Sequence, residues 1–152
     1  MKISLKGLIC AVVLVAVPGL AYAGFAKSED AIRYRKAVMT VMAQHFGRIA
    51  AVVKGEMAYD QKEVAHDAMV VKAMSEVPWE AFMFPGADMG DTTLKSSAMK
   101  EKDKFMSVAQ KFESATQKLA ETAAKDDLAA VKAQFGEVAG NCKTCHSTFR
   151  KK

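Results

Sequence analysis

Five residues near the C-terminus, Cys142-Lys143-Thr144-Cys145-His146, concentrate more reactive chemistry than any other stretch of the chain. In a helix, two thiols three positions apart lie about one turn apart, and an imidazole follows at once. This is the pattern of c-type haem attachment. The thiols form thioethers with the two vinyl groups on one edge of a porphyrin, and His146 then lies beneath the iron as proximal ligand. Other uses of the same residues fit less well. Zinc takes four ligands, and the only other histidines are His45 and His66. A dithiol redox pair is expected beside a strand-to-helix turn, and no strand pattern precedes Cys142. A disulfide between Cys142 and Cys145 would close too small a loop to stabilise much.

Arg35 is the second residue whose position asks for chemistry. It falls inside an apolar stripe of Ile32, Met39, Met42, Phe46, Ile49 and Val53, where an unpaired charge is costly. A guanidinium there calls for an anion, and haem has two propionates that it can hold with paired hydrogen bonds. Met39 lies one turn further along the same face, over the expected haem plane. It is either a sixth iron ligand or an apolar lid that leaves the iron open. His45 and His66 fall just off the inward stripes and are expected to be partly exposed.

Four helices must position these groups. The first runs from about Glu29 to Val53, with Ser28 as its cap and Lys54-Gly55 as its stop. The second runs from Asp60 to Val77, with Asp60 and Glu63 resembling a capping box and Pro78 ending it. Residues 78–96 contain Pro85, Gly86 and Gly90 and read as a long loop whose Trp79, Phe82 and Phe84 need a dry place. The third helix spans Ser97 to Ala124, with Phe105, Ala109, Phe112, Thr116 and Leu119 inward. The fourth spans Asp127 to Phe149, with Leu128, Val131, Phe135, Val138, Cys142, Cys145 and Phe149 on one line. Short connections make neighbours antiparallel, so the expected fold is all-α, an antiparallel up-down-up-down four-helix bundle. A second apolar line on the first helix (Val38, Val41, His45 and Val52, interrupted by Arg48) points to a homodimer through that helix.

The N-terminus carries a different signal. Lys2 and Lys6, an apolar run from Leu8 to Val17, and Ala21-Tyr22-Ala23 form a secretory signal peptide with cleavage expected after Ala23. Its run is too short to span a bilayer, so residues 24–152 form the expected single domain, periplasmic and without stable membrane association. Cys10 leaves with the leader, and so do two of the charges behind the formal net charge of +5. The remaining basic residues are interleaved with acidic ones, which speaks against nucleic-acid binding.

Over essentially all of residues 24–152 the chain resembles the cytochromes c′. The segments that carry the likeness are Glu29 to Lys36, His45 to Ile49 with Val53 to Glu56, Pro78 to Phe82, and Cys142 to Arg150. The resemblance implies one haem c attached through Cys142 and Cys145, a dimer, and a five-coordinate high-spin iron that binds nitric oxide and often carbon monoxide. By position, Arg35 matches the propionate-binding arginine, Met39 the apolar distal residue, and Phe82 an aromatic near the haem. Arg150 matches the basic residue beside the proximal histidine, one turn beyond His146. Lys36 and Asp91 fall where further haem contacts occur, although many relatives carry Gln at Lys36 and the 83–94 loop departs most from the pattern. Low-spin relatives use a Met near this position as sixth ligand, so a six-coordinate His146/Met39 electron-transfer protein stands as the alternative. The expected role is electron transfer with an unidentified redox partner, gas binding, or both, and not enzymatic: no distal His-plus-Arg pair is available to polarise a peroxide.

Overall fold

A computed structural model describes residues 24–152; the expected leader, residues 1–23, lies outside the described residues. The described chain forms six helices: α1 (Ser28–Val53), α2 (Gln61–Ser75), α3 (Trp79–Phe82), α4 (Ser97–Lys100), α5 (Lys102–Ala123) and α6 (Leu128–Phe149). Four of them, α1, α2, α5 and α6, make the bundle. Gln61, at the start of α2, donates to the carbonyl of Ala123 at the end of α5, while Ser75, at the end of α2, meets Thr116 on α5 at 2.8 Å. Those cross-links fix α2 and α5 as antiparallel neighbours. No described helix is long and apolar enough to cross a membrane.

Local chemistry sets the boundaries. The Asp60 carboxylate accepts from the amides of Lys62 and Glu63, and that of Asp127 from Ala130, satisfying donors that the first helical turn leaves free. α1 ends in a Schellman turn: the Gly55 amide bonds Val52 O and the Glu56 amide bonds Ala51 O, with Gly55 at φ +79°. Three expectations are corrected. Ser28 does not cap α1; it is the first helical residue, and Lys27 precedes it without a side-chain cap. The third helix is split, because Glu101 leaves helical geometry at φ −110°, ψ 47°. Residues 78–96 are not wholly loop: Trp79–Phe82 form one helical turn, which their aromatic side chains pin to the core.

The main core runs the length of the bundle through Val38, Met42, Ile49, Val71, Leu119, Val131 and Val138. Val38 and Val52 of the second line on α1 belong to it, both 7% exposed, so only Val41 of that line's valines faces solvent, at 42%. Packing against α2 inside the same subunit explains the burial. A second cluster closes one end: Leu94, Ala98, Phe105 and Phe149, joined by Trp79, Phe82, Met83 and Cys145.

α1 and α6 touch each other far less than any other bundle neighbours do. Phe46 and Phe135 stack across them, with centroids 4.3 Å apart and planes 12° from parallel. From that contact, counting back along α1 and forward along α6 in antiparallel register brings Met39 level with Cys142, and Arg35 level with His146. The loosely joined pair of helices thus carries the reactive residues at matching levels.

Candidate haem site

α6 carries the reactive face. Cys142 packs on the main core and Cys145 on the aromatic end cluster, both half-buried. Burial pushes the Cys142 thiol up, and pushes that of Cys145 up to about 11. Thiols so held stay protonated at neutral pH, the opposite of the low-pKa thiol that drives dithiol exchange. Nor do Cys142, Cys145 and His146 converge as metal ligands: among the described residues that arrangement occurs only at His45, His66 and Asp67. His146 is exposed. Partial desolvation, and then the positive charge of Arg150, push its pKa down, which favours the neutral imidazole that can ligate a metal. Arg150 itself is not a further helical residue; it stands at the C-cap in extended geometry.

The opposite wall comes from α1. Arg35 is buried at 3% exposure, as its place in the stripe predicts. Its Nη1 donates to Ala81 O at 3.1 Å, and its Nη2 to Ala87 O and Thr92 Oγ1, both at 2.6 Å. The guanidinium carbon lies 4.8 Å from the Phe82 ring centroid. All three acceptors are neutral, so burial pushes the Arg35 pKa down, with the Asp88 charge opposing. Three of its five N–H donors are engaged and two remain. Nearby, Trp79 Nε1 is buried with no acceptor, its ring 5.8 Å from that of Phe82. A buried cation short of a counter-charge and an orphaned donor, facing two thiols at helical spacing, fit a porphyrin that brings two carboxylates.

The 83–96 segment is a strap that ties these walls together. Gly86 and Gly90 turn at φ +78° and +76°, conformations that side-chain-bearing residues rarely adopt. Thr92 Oγ1, besides taking Arg35, accepts from the Leu94 amide. Lys95 then closes α6: its amide donates to Phe149 O, and its Nζ to Ser147 O and Thr148 O, as suits a cation at a helix C-terminus. Lys151 N returns a bond to Thr93 O at 2.7 Å.

Of the expected site residues, Cys142, Cys145, Arg35, Phe82 and half-buried Met39 come together at this end of the bundle. Lys36 and Asp91 do not join them. They form an exposed ion pair at 2.7 Å, with 48% and 99% of their side chains open to solvent, which holds the Asp91 carboxyl below its usual range. Thr92, Lys95 and the carbonyls of Ala81 and Ala87 escape sequence reasoning. Their contribution is a hydrogen-bond acceptor or a cap, which no periodicity marks; only Gly86 and Gly90 signal that the strap must turn.

Fold and site together define a helical bundle with a haem-attachment motif on its last helix. The family model of cytochrome C′ matches residues 30–150, and the chain belongs to that family. It is 40% identical over 128 residues to a cytochrome c′ of Alcaligenes xylosoxydans xylosoxydans, covering 84% of this chain and 98% of the relative, and 39% identical over 129 residues to that of Rubrivivax gelatinosus, covering 84% and 99%. Among solved structures, cytochrome c prime from Shewanella frigidimarina superposes with TM-score 0.82 at 32% identity, covering 85% of this chain and 100% of that one. A nitric oxide complex of an Alcaligenes xylosoxidans variant gives 0.78 at 40% identity, with coverage of 85% and 100%. The cytochromes c′ are themselves a standard example of the up-down-up-down bundle. The cofactor is therefore haem c, attached through Cys142 and Cys145.

Proposed function

We propose that this protein is a periplasmic cytochrome that binds nitric oxide and carbon monoxide at a five-coordinate haem and passes single electrons. Haem c, when bound, supplies an iron that changes oxidation state and accepts small axial ligands. The chain's residues divide the remaining work. His146 is the proximal ligand, its neutral form favoured by desolvation and by Arg150. Arg35 holds the propionates with its two free N–H donors, and Trp79 Nε1, buried without an acceptor on the helical turn that also carries Phe82, offers a third.

The observation that carries the reading is the setting of Met39. It packs into the apolar core level with Cys142, in the register that the Phe46–Phe135 stack imposes. Such a wall offers no hydrogen bond to bound dioxygen, while small apolar gases need none. A non-enzymatic role is supported by the commitments of Arg35 and His45: the first is bonded to the strap, the second to Asp67 on α2. The likeness to structures that hold nitric oxide or carbon monoxide also supports gas binding.

Met39→Ala tests the lid. Relieving crowding of about 1–3 kcal/mol should speed carbon monoxide association about tenfold or more, with high-spin spectra before and after. A variant that turns from low-spin to high-spin on losing Met39 would instead mean that Met39 was a ligand, leaving the His146/Met39 electron-transfer reading.

A further inference from the structure

On the α1–α2 face, away from the haem site, two lone-pair donors converge on one cationic point. His45 Nδ1 lies 2.8 Å from Asp67 Oδ1. The Arg48 Nη2 group contacts both, reaching Nδ1 at 2.6 Å, while Arg48 Nε holds Asp67 Oδ2 at 2.9 Å. An imidazole nitrogen cannot accept from Arg48 and donate to Asp67 at once. The arrangement is coherent when Nδ1 is unprotonated, so that Nδ1 and Oδ1 both aim at the positive group. A separation near 2.8 Å between two donors aimed at one cation is the bite of a metal chelate, with the guanidinium standing where the ion would sit.

His66 supplies a third donor. Ring nitrogens of His45 and His66 and a carboxylate oxygen of Asp67 all lie within 4.8 Å of one another, and the two imidazole centroids are 6.0 Å apart. Asp67 is 3% exposed, and the Arg48 guanidinium holds both of its carboxylate oxygens. The Arg48 side chain is 40% exposed and can swing aside.

We propose that His45, His66 and Asp67 form a binding site for a borderline divalent cation of the zinc type. Two imidazoles and one carboxylate suit such ions, whereas calcium and magnesium demand more oxygen ligands. Water completes the tetrahedron.

The test is calorimetric titration of the haem-loaded protein with Zn2+. Haem loading matters because free Cys142 and Cys145 would bind zinc on their own. One equivalent should bind. His66→Ala, which removes an exposed side chain, should weaken binding about tenfold or more, and so should His45→Gln. Arg48→Gln, which removes the competing cation, should tighten it. Arg48→Gln binding no more tightly, or either histidine variant retaining wild-type affinity, would overturn the proposal. Circular dichroism of each variant separates loss of a ligand from loss of fold.

Discussion

A buried charge reports its environment more sharply than any apolar neighbour does. Arg35 is held by two carbonyls and one hydroxyl, neutral acceptors that leave two N–H donors free and only the Asp88 charge to oppose desolvation. Asp67 is the mirror case, a buried carboxylate with its counter-charge supplied by Arg48. Its folded pKa lies below the unfolded value of about 3.9, so its contribution is present above that pH and is lost as pH falls through the folded value. Asp67→Asn should therefore flatten the acid limb of the stability curve below about pH 4, measured by urea unfolding at stepped pH. An acid limb as steep as that of the wild type would show that the pair contributes nothing. At this scale sequence reasoning reached the residues whose type is itself the signal: the thiols, His146, and an Arg inside an apolar stripe. It could not reach Thr92 or Lys95, nor the fact that Lys36 and Asp91 pair with each other in solvent, because partner choice across the strap is decided in three dimensions.

At the scale of elements, the bundle's ends are fixed by caps and its interior by periodicity. The inward stripe of α1 placed Arg35, Met42 and Ile49 where they are buried, because a 3.6-residue period leaves few alternatives. The same logic misassigned Val38 and Val52 to an outer face. α1 packs against α2 along a wider apolar arc than a single narrow stripe provides, so valines beside the stripe are also covered. Trp79–Phe82 has no legible period in the sequence since one turn is too short to show one, and Ser28 carries a cap signal because Ser is a good cap wherever a helix begins. Where the cap is real it should be measurable. Asp127→Ala removes the acceptor for Ala130 N at 3.0 Å and should cost about 1 kcal/mol, seen as a lower Tm, while Asp127→Asn should retain most of it. Equal loss in both variants would assign the effect to charge and not to the cap.

For the whole molecule, three tight helix contacts and one loose one produce function from a simple architecture. α2 and α5 bind each other and their outer neighbours closely, whereas α1 and α6, which carry Arg35 and Met39 on one side and the thiols on the other, are the loosely joined pair. The outer surface of α1 keeps Val41 at 42% and Tyr34 at 37% exposed, the side chains that the homodimer expected on that helix would bury. Val41→Glu should raise the dimer dissociation constant sharply in sedimentation experiments; an unchanged profile would remove α1 from the interface. The central claim, that His146 alone ligates the iron from the protein side and leaves the opposite face open to gases, is tested most directly by absorption spectra of the oxidised and reduced holoprotein, with and without nitric oxide or carbon monoxide. The account predicts broad high-spin bands that shift promptly on adding either gas. Sharp low-spin bands that resist both gases would contradict it and make Met39 the sixth ligand.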